Sequence, residues 1–126
     1  MRAIDTNVLV RLITRDDPKQ VVAAEAFAAS GAWVSHLVLA EMTWVLTAVY
    51  NREAPEIARS IEMLLDHESL ALQEPEVVAT ALAHFRNKPA LGFSDCLLLE
   101  IARKAGHLPL GTFDRDLGKV HGTERL

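Results

Sequence analysis

Arg2-Ala3-Ile4-Asp5-Thr6-Asn7-Val8-Leu9-Val10 opens the chain with a change of period. Residues 2–5 read as a short buried strand that stops at a carboxylate. From Thr6 the apolar positions Val8, Leu9, Leu12 and Ile13 fall at helical spacing. Thr6 and Asn7 supply capping groups for that helix. A strand that runs straight into a helix is the unit of an α/β protein. Ligands in that class gather beyond the carboxyl ends of the strands, which is where Asp5 falls.

The alternation repeats along the chain. Asp16-Asp17-Pro18 ends the first helix and opens a second over 18–29, with an Asp as N-cap and Pro18 in the first turn. Strands are expected at 32–35, 70–72 and 108–113. Helices are expected at 37–50, 55–67, 75–87 and 95–105, the last with Ser94 as its N-cap and Gly106 as its stop. A short helix over 114–120 and an edge strand in the tail complete the reading. Strands alternating with helices, often two per crossover, predict a parallel sheet covered on both faces. With no repeat, low-complexity tract or linker, one α/β domain over 1–126 is expected.

The bulk properties narrow the class. At 126 residues the chain can bury a core without disulfides or structural metal. With 50% hydrophobic and 24% charged residues it has an ordinary globular balance. No apolar run approaches the roughly 18 residues of a membrane span, and Met1 leads into a charged strand rather than a signal-like segment. The single cysteine, Cys96, excludes an internal disulfide and suits a reducing cytoplasm. A net charge of −4 is the wrong sign for coating nucleic acid non-specifically. It still allows acids gathered in one pocket with bases facing a phosphate backbone. The apolar content also suits an oligomer or an apolar partner surface.

Four acids stand out by position. Asp5 ends the first strand; read alone, it fits an N-cap equally well. Glu41 has Val38 at i−3 and Val45 at i+4, on the face expected to pack inward, where a carboxylate is costly unless paired or bound to metal. Its alternative is a place at the edge of that stripe. Glu53 and Glu56, by contrast, read as solvated helix charges. Asp95 heads a stripe of Leu98, Leu99 and Ala102 near a helix N-terminus. Asp114 follows the strand ending Thr112-Phe113, and its alternative is the cap of the last helix. Asp116 points about 200° away around that helix and ranks second. Two unit charges about 4 Å apart repel by roughly 4 kcal/mol at an effective dielectric of about 20. A cluster of such acids therefore predicts raised pKa values or bound cations. All-oxygen ligation without a Cys or His cluster favours Mg²⁺ or Mn²⁺ over zinc.

With these residues in view, the chain resembles the PIN-domain ribonucleases, and among them the VapC-type toxins of toxin–antitoxin pairs. The matching pieces are I-D-T-N-V-L-V-R at 4–11, V-L-A-E-M-T-W-V-L at 38–46, F-S-D-C-L-L at 93–98 and T-F-D-R-D-L at 112–117, in the family's order. The resemblance implies a three-layer α/β/α sandwich with a short, mostly parallel central sheet. It makes Asp5, Glu41, Asp95 and Asp114 the metal-binding and catalytic set, supported by Thr6, Asn7, Thr112 and Asp116. It also implies a homodimer, a small antitoxin that covers the active site, and RNA cleavage leaving a 5′-phosphate and a 3′-hydroxyl. Ser94 and Cys96 depart from the small residues frequent there and leave the acid set intact. Arg11, Arg15, Arg86 and Lys88 are candidates for phosphate contacts, with solvated helix charge as the plainer reading.

Other signals point away from competing chemistries. The five histidines, His36, His67, His84, His107 and His121, lack ligand spacing and suit solvated or capping roles; His36 is the one near a strand end. Cys96 has no base partner and reads as a packing thiol. Trp33, Trp44 and Tyr50 read as core or interface residues. Phosphate-loop, dinucleotide, zinc-protease and serine-hydrolase motifs are absent. A phosphoaspartyl signalling module would want a lysine after a late strand, but Lys119 falls inside the last helical segment. A dehalogenase-like phosphatase would want an acid where Asn7 stands. A catalytically silent PIN-like binding module would be expected to lack one of the four acids, and all four are present.

Overall fold

Every β-strand of this protein is two or three residues long, so the helices do most of the burying. The computed structural model describes residues 1–126, and the chain separates into two units, Met1–Pro75 and Glu76–Leu126. The first holds β1 (Arg2–Ala3), α1 (Thr6–Thr14), α2 (Pro18–Ala28), β2 (Ala32–Val34), α3 (His36–Ala48), α4 (Ala54–Asp66) and β3 (Leu70–Leu72). The second holds α5 (Pro75–Asn87, starting on the boundary residue), α6 (Phe93–Ala105), β4 (Leu110–Thr112) and β5 (Thr123–Arg125). The fold is α/β, with six helices and short parallel sheets, as the alternation predicts.

In the first unit the strands pair in the order β1-β2-β3, all parallel, with Ala3 opposite Trp33 and Val34 opposite Leu72. Parallel neighbours need long crossovers, and each here is a pair of helices. The Ile4 amide donates to the Trp33 carbonyl at 3.1 Å and carries the pairing one residue past β1. Leu9, Val10, Leu39, Met42, Leu46, Ile61 and Leu64 are all buried. Glu53 and Glu56, read from sequence as solvated charges, form a reciprocal capping box that starts α4.

In the second unit α6 begins two residues before the expected start. Gly92, at φ 80°, is its N-cap, so Ser94 and Asp95 lie inside the first turn and Ser94 does not cap. The reason is Phe93: it is buried and meets Phe85 edge-on at 6.0 Å, which draws the helix start back onto the core. Gly106 closes the helix in the left-handed region. The short helix expected over 114–120 is a single tight turn, Leu117–Lys119. β5 then pairs parallel with β4, and Gly118 makes room for it, since a Cβ there would meet the Arg125 side chain at 2.8 Å. No helix is long and apolar enough to cross a membrane.

The inward face of α3 is testable. Leu46 is 0% exposed and Leu37 is 68% exposed. In urea unfolding, Leu46→Ala should cost about 2–5 kcal/mol, and Leu37→Ala less than about 0.5 kcal/mol. Equal losses would mean that the helix is turned about its axis.

Candidate active site

Asp5 is the N-cap of α1: its Oδ1 accepts the Val8 amide at 3.2 Å. This corrects the expectation that Thr6 and Asn7 supply the cap. Asp5 keeps an extended backbone (φ −93°, ψ 177°), the geometry from which a side-chain oxygen reaches the first-turn amides. Thr6 already lies in the helix and turns its hydroxyl to Glu41, donating to Oε2 at 2.8 Å. Asn7, the next residue, is exposed.

Glu41 is exposed, not inward as its apolar neighbours suggested. The buried face of α3 is His36, Leu39, Met42, Thr43 and Leu46, with Val38 and Val45 only half-buried at its margins. That rotation carries Glu41 to the edge, the alternative the sequence left open. What distinguishes Glu41 is its bond to Thr6, the neighbour of Asp5.

In the second unit Asp95 is half-buried in the first turn of α6. Leu98 is 48% exposed, and the buried stripe is instead Phe93, Cys96, Leu97, Leu99 and Glu100. Burial lifts the Asp95 carboxyl above its ordinary range, and the charge of Asp114 adds to the effect. Asp114 sits in a side-chain-capped turn. Its amide donates to Thr112 Oγ1 at 3.0 Å, and its Oδ1 accepts the amides of Asp116 and Leu117 at 2.9 and 2.8 Å. Asp116 lines a different place, a groove of about 300 Å³ shared with Lys88 and Lys119. Asp114 is therefore the acid that Asp95 senses.

A shared pattern emerges from these bonds. Asp5, Glu41 and Asp114 each have one oxygen anchored and the other free of a donor, and Asp95 has no donor at all. None of the four has a cationic partner, whereas Asp16, Glu25, Glu56, Glu76 and Glu100 are all paired. Within neither unit do three or more His, Cys, Asp or Glu side chains come close enough to hold a metal unaided. Free carboxylate oxygens in ones and twos, with no competing cation, still fit Mg²⁺. That ion binds through one or two carboxylates and completes its shell with water and phosphate.

The basic candidates are differently placed. Arg11 donates to Gln20 at 2.5 Å and to Tyr50 at 2.9 Å, and bridges Asp16 at 3.1 Å, stapling α1 to α2. Hydrogen bonds from Tyr50 and Thr14 hold the Asp16 carboxyl below its usual range. Arg15 pairs with Glu25 at 2.6 Å. Lys88 edges the small groove with Asp116. Trp33 and Trp44 are both exposed, 38% and 66%, so neither is a core residue.

Sequence reasoning missed Glu100. It is 5% exposed, bonded to His84 Nε2 at 2.9 Å and to Arg103 Nε at 3.2 Å, and Arg103 also donates to the His121 carbonyl at 3.0 Å. Its spacing after Phe93, Cys96 and Leu97, with Arg103 at i+3, was the available signal. Histidine roles shift accordingly: His84 joins that network, and His36 is buried with Nε2 unpartnered. Burial, reinforced by Asp95, pushes the Cys96 thiol up to about 11, which suits packing and not nucleophilic work.

Compared with known proteins, the chain matches the family model of the PIN domain over residues 3–122, a stretch that runs through both units. No curated protein and no solved structure gives a significant match.

The Asp95–Asp114 relation can be read directly. Protonated Asp95 suits the fold better, so its contribution to stability is full below the unfolded midpoint and is lost as pH rises through the raised one. Asp114→Asn should lower the Asp95 midpoint part of the way towards 3.8, because burial, the larger cause, stays. Carboxyl-carbon NMR across a pH titration measures this, and an unmoved midpoint would separate the two residues.

Proposed function

Because the chain belongs to the PIN-domain family, whose members are generally metal-dependent nucleases, we propose that it is an Mg²⁺- or Mn²⁺-dependent endoribonuclease. We read it as a single functional domain over 1–126 and as the toxin of a type II toxin–antitoxin pair. Asp5, Glu41, Asp95 and Asp114 form its acid set. The observation that supports the reading is that Asp5, Glu41 and Asp114 each keep one carboxylate oxygen free while the other is anchored, and half-buried Asp95 has neither donor nor cation beside it. Unbalanced carboxylates with free oxygens are what a hard divalent cation and a phosphodiester require.

When bound, the metal supplies a more acidic water and charge neutralisation at the phosphate. Asp5 and Asp95 are the proposed direct ligands: Asp5 offers Oδ2 while Oδ1 stays on the helix cap, and Asp95 offers both oxygens. Glu41 is fixed through Oε2 by Thr6, leaving Oε1 to orient the attacking water or take its proton. Asp114 completes the set with Oδ2, its turn held by Thr112. Asp116 supports Asp114 through its backbone amide, and Asn7 is the proposed polar neighbour of Asp5 in α1. Arg11, Arg15, Arg86 and Lys88 are the proposed phosphate contacts. The partners are an RNA substrate, a second copy of the chain and a small antitoxin, and the setting is cytoplasmic.

Purified protein should cleave RNA with Mg²⁺ or Mn²⁺ and stop with EDTA. Asp5→Asn and Asp95→Asn should abolish cleavage without unfolding the chain, and Thr6→Val should lower it by roughly 10–100-fold through a loosened Glu41. Metal-independent cleavage, or full activity in either Asn variant, would overturn the site. Expression of active enzyme alone should arrest growth; harmless expression would argue for a housekeeping nuclease.

A further inference from the structure

A groove of about 390 Å³ is formed by α1 and α2, and Asp5 is one of its walls. Its lining combines the ring of Phe27 and the small side chains Ala23 and Ala24 with the amides of Asn7 and Gln20. Gln20 gives its oxygen to Arg11, so its amide nitrogen is free, and the Asn7 amide makes no hydrogen bond. The Arg2 guanidinium lies 3.7 Å over the Phe27 ring, and Arg11 borders the same space. The groove is thus a flat aromatic and cationic surface with unsatisfied amide donors and acceptors, opening beside a proposed catalytic acid.

We propose that this groove receives one unpaired base of a single-stranded RNA, from the nucleotide beside the phosphate at which water is directed by the acid set. The proposal rests on the nuclease reading above. At about 390 Å³ the space is at the small end of ligand sites, which run roughly 300–1,000 Å³. That is room for a single base and not for a duplex. A base can enter only if it is unstacked, so the substrate class is single-stranded or looped RNA. Phe27 offers an aromatic side chain for a base to stack on, and Arg11 a cation beside it. Asn7 and Gln20 offer the paired donor and acceptor groups that read a base edge. An apolar protein segment fits less well, because it would cover Asp5 and two amides without satisfying them.

The test is cleavage of an RNA pool randomised around the cut, with product ends sequenced. The wild-type protein should show a base preference at one position flanking the cut, and an abasic residue there should slow it about tenfold. Ala23→Trp fills the groove from an exposed position and should erase both the preference and the abasic effect. Gln20→Ala, a second exposed site, should flatten the preference if the tryptophan variant fails to fold. Unchanged preferences in folded variants overturn the groove and leave the nuclease standing. Unchanged preferences with weakened binding of a protein inhibitor assign the groove to that partner and also overturn the proposal. No cleavage by the wild-type protein with either metal overturns both readings.

Discussion

The hydrogen bond from the Val8 amide to Asp5 Oδ1 sets the terms for the rest of this molecule. One carboxylate follows a strand, starts a helix and, in the proposed enzyme, remains available for chemistry. It does so by dividing its oxygens: Oδ1 satisfies an orphan amide of α1, and Oδ2 is left open. The cap also fixes the side chain, so ordering it for a ligand costs little further entropy. Asp114 repeats the device in its turn, and Glu41 does so through the Thr6 hydroxyl. Asp95 is the exception. It has no donor, and burial together with the charge of Asp114 pushes its carboxyl above its usual range.

Glu100 shows what a structural acid looks like in the same helix. It is more deeply buried than Asp95, yet it has His84 on one side and Arg103 on the other. Removing either partner would leave a buried charge uncompensated, which is how such networks contribute to a unique fold. The exposed pairs Arg15–Glu25 and Arg52–Glu56 contribute little stability, on the order of 0–1 kcal/mol each. Burial alone does not separate structure from function in this protein. Asp95 and Glu100 differ in whether the carboxylate has partners, not only in depth.

The sequence carried the element order and the parallel pairing, since both rest on local patterns. It misplaced what depends on helix rotation and cap choice. Glu41 fell on the expected inward face because Val38 and Val45 are apolar, but Leu39, Met42 and Leu46 form the buried face and turn it outward. Ser94 is a good cap by type, yet Phe93 claims the helix start by packing on Phe85. Thr6 is equally a good cap by type and is one residue too late. Glu100 escaped notice because its partners, apart from Arg103, come from another helix. Long-range partners leave no periodic trace in one sequence.

The same rotation that exposes Glu41 has a further consequence. Leu37 and Trp44, at i−4 and i+3, share its side of α3 and are 68% and 66% exposed. A charged group between two large exposed apolar side chains cannot be left bare by a partner that seeks apolar contact. Any protein that buries Leu37 and Trp44 must also cover Glu41, because the three stand within two turns of one helix. Apolar cover alone would strip water from the free Glu41 oxygen, so a partner on this face has to bring that carboxylate a donor or a cation.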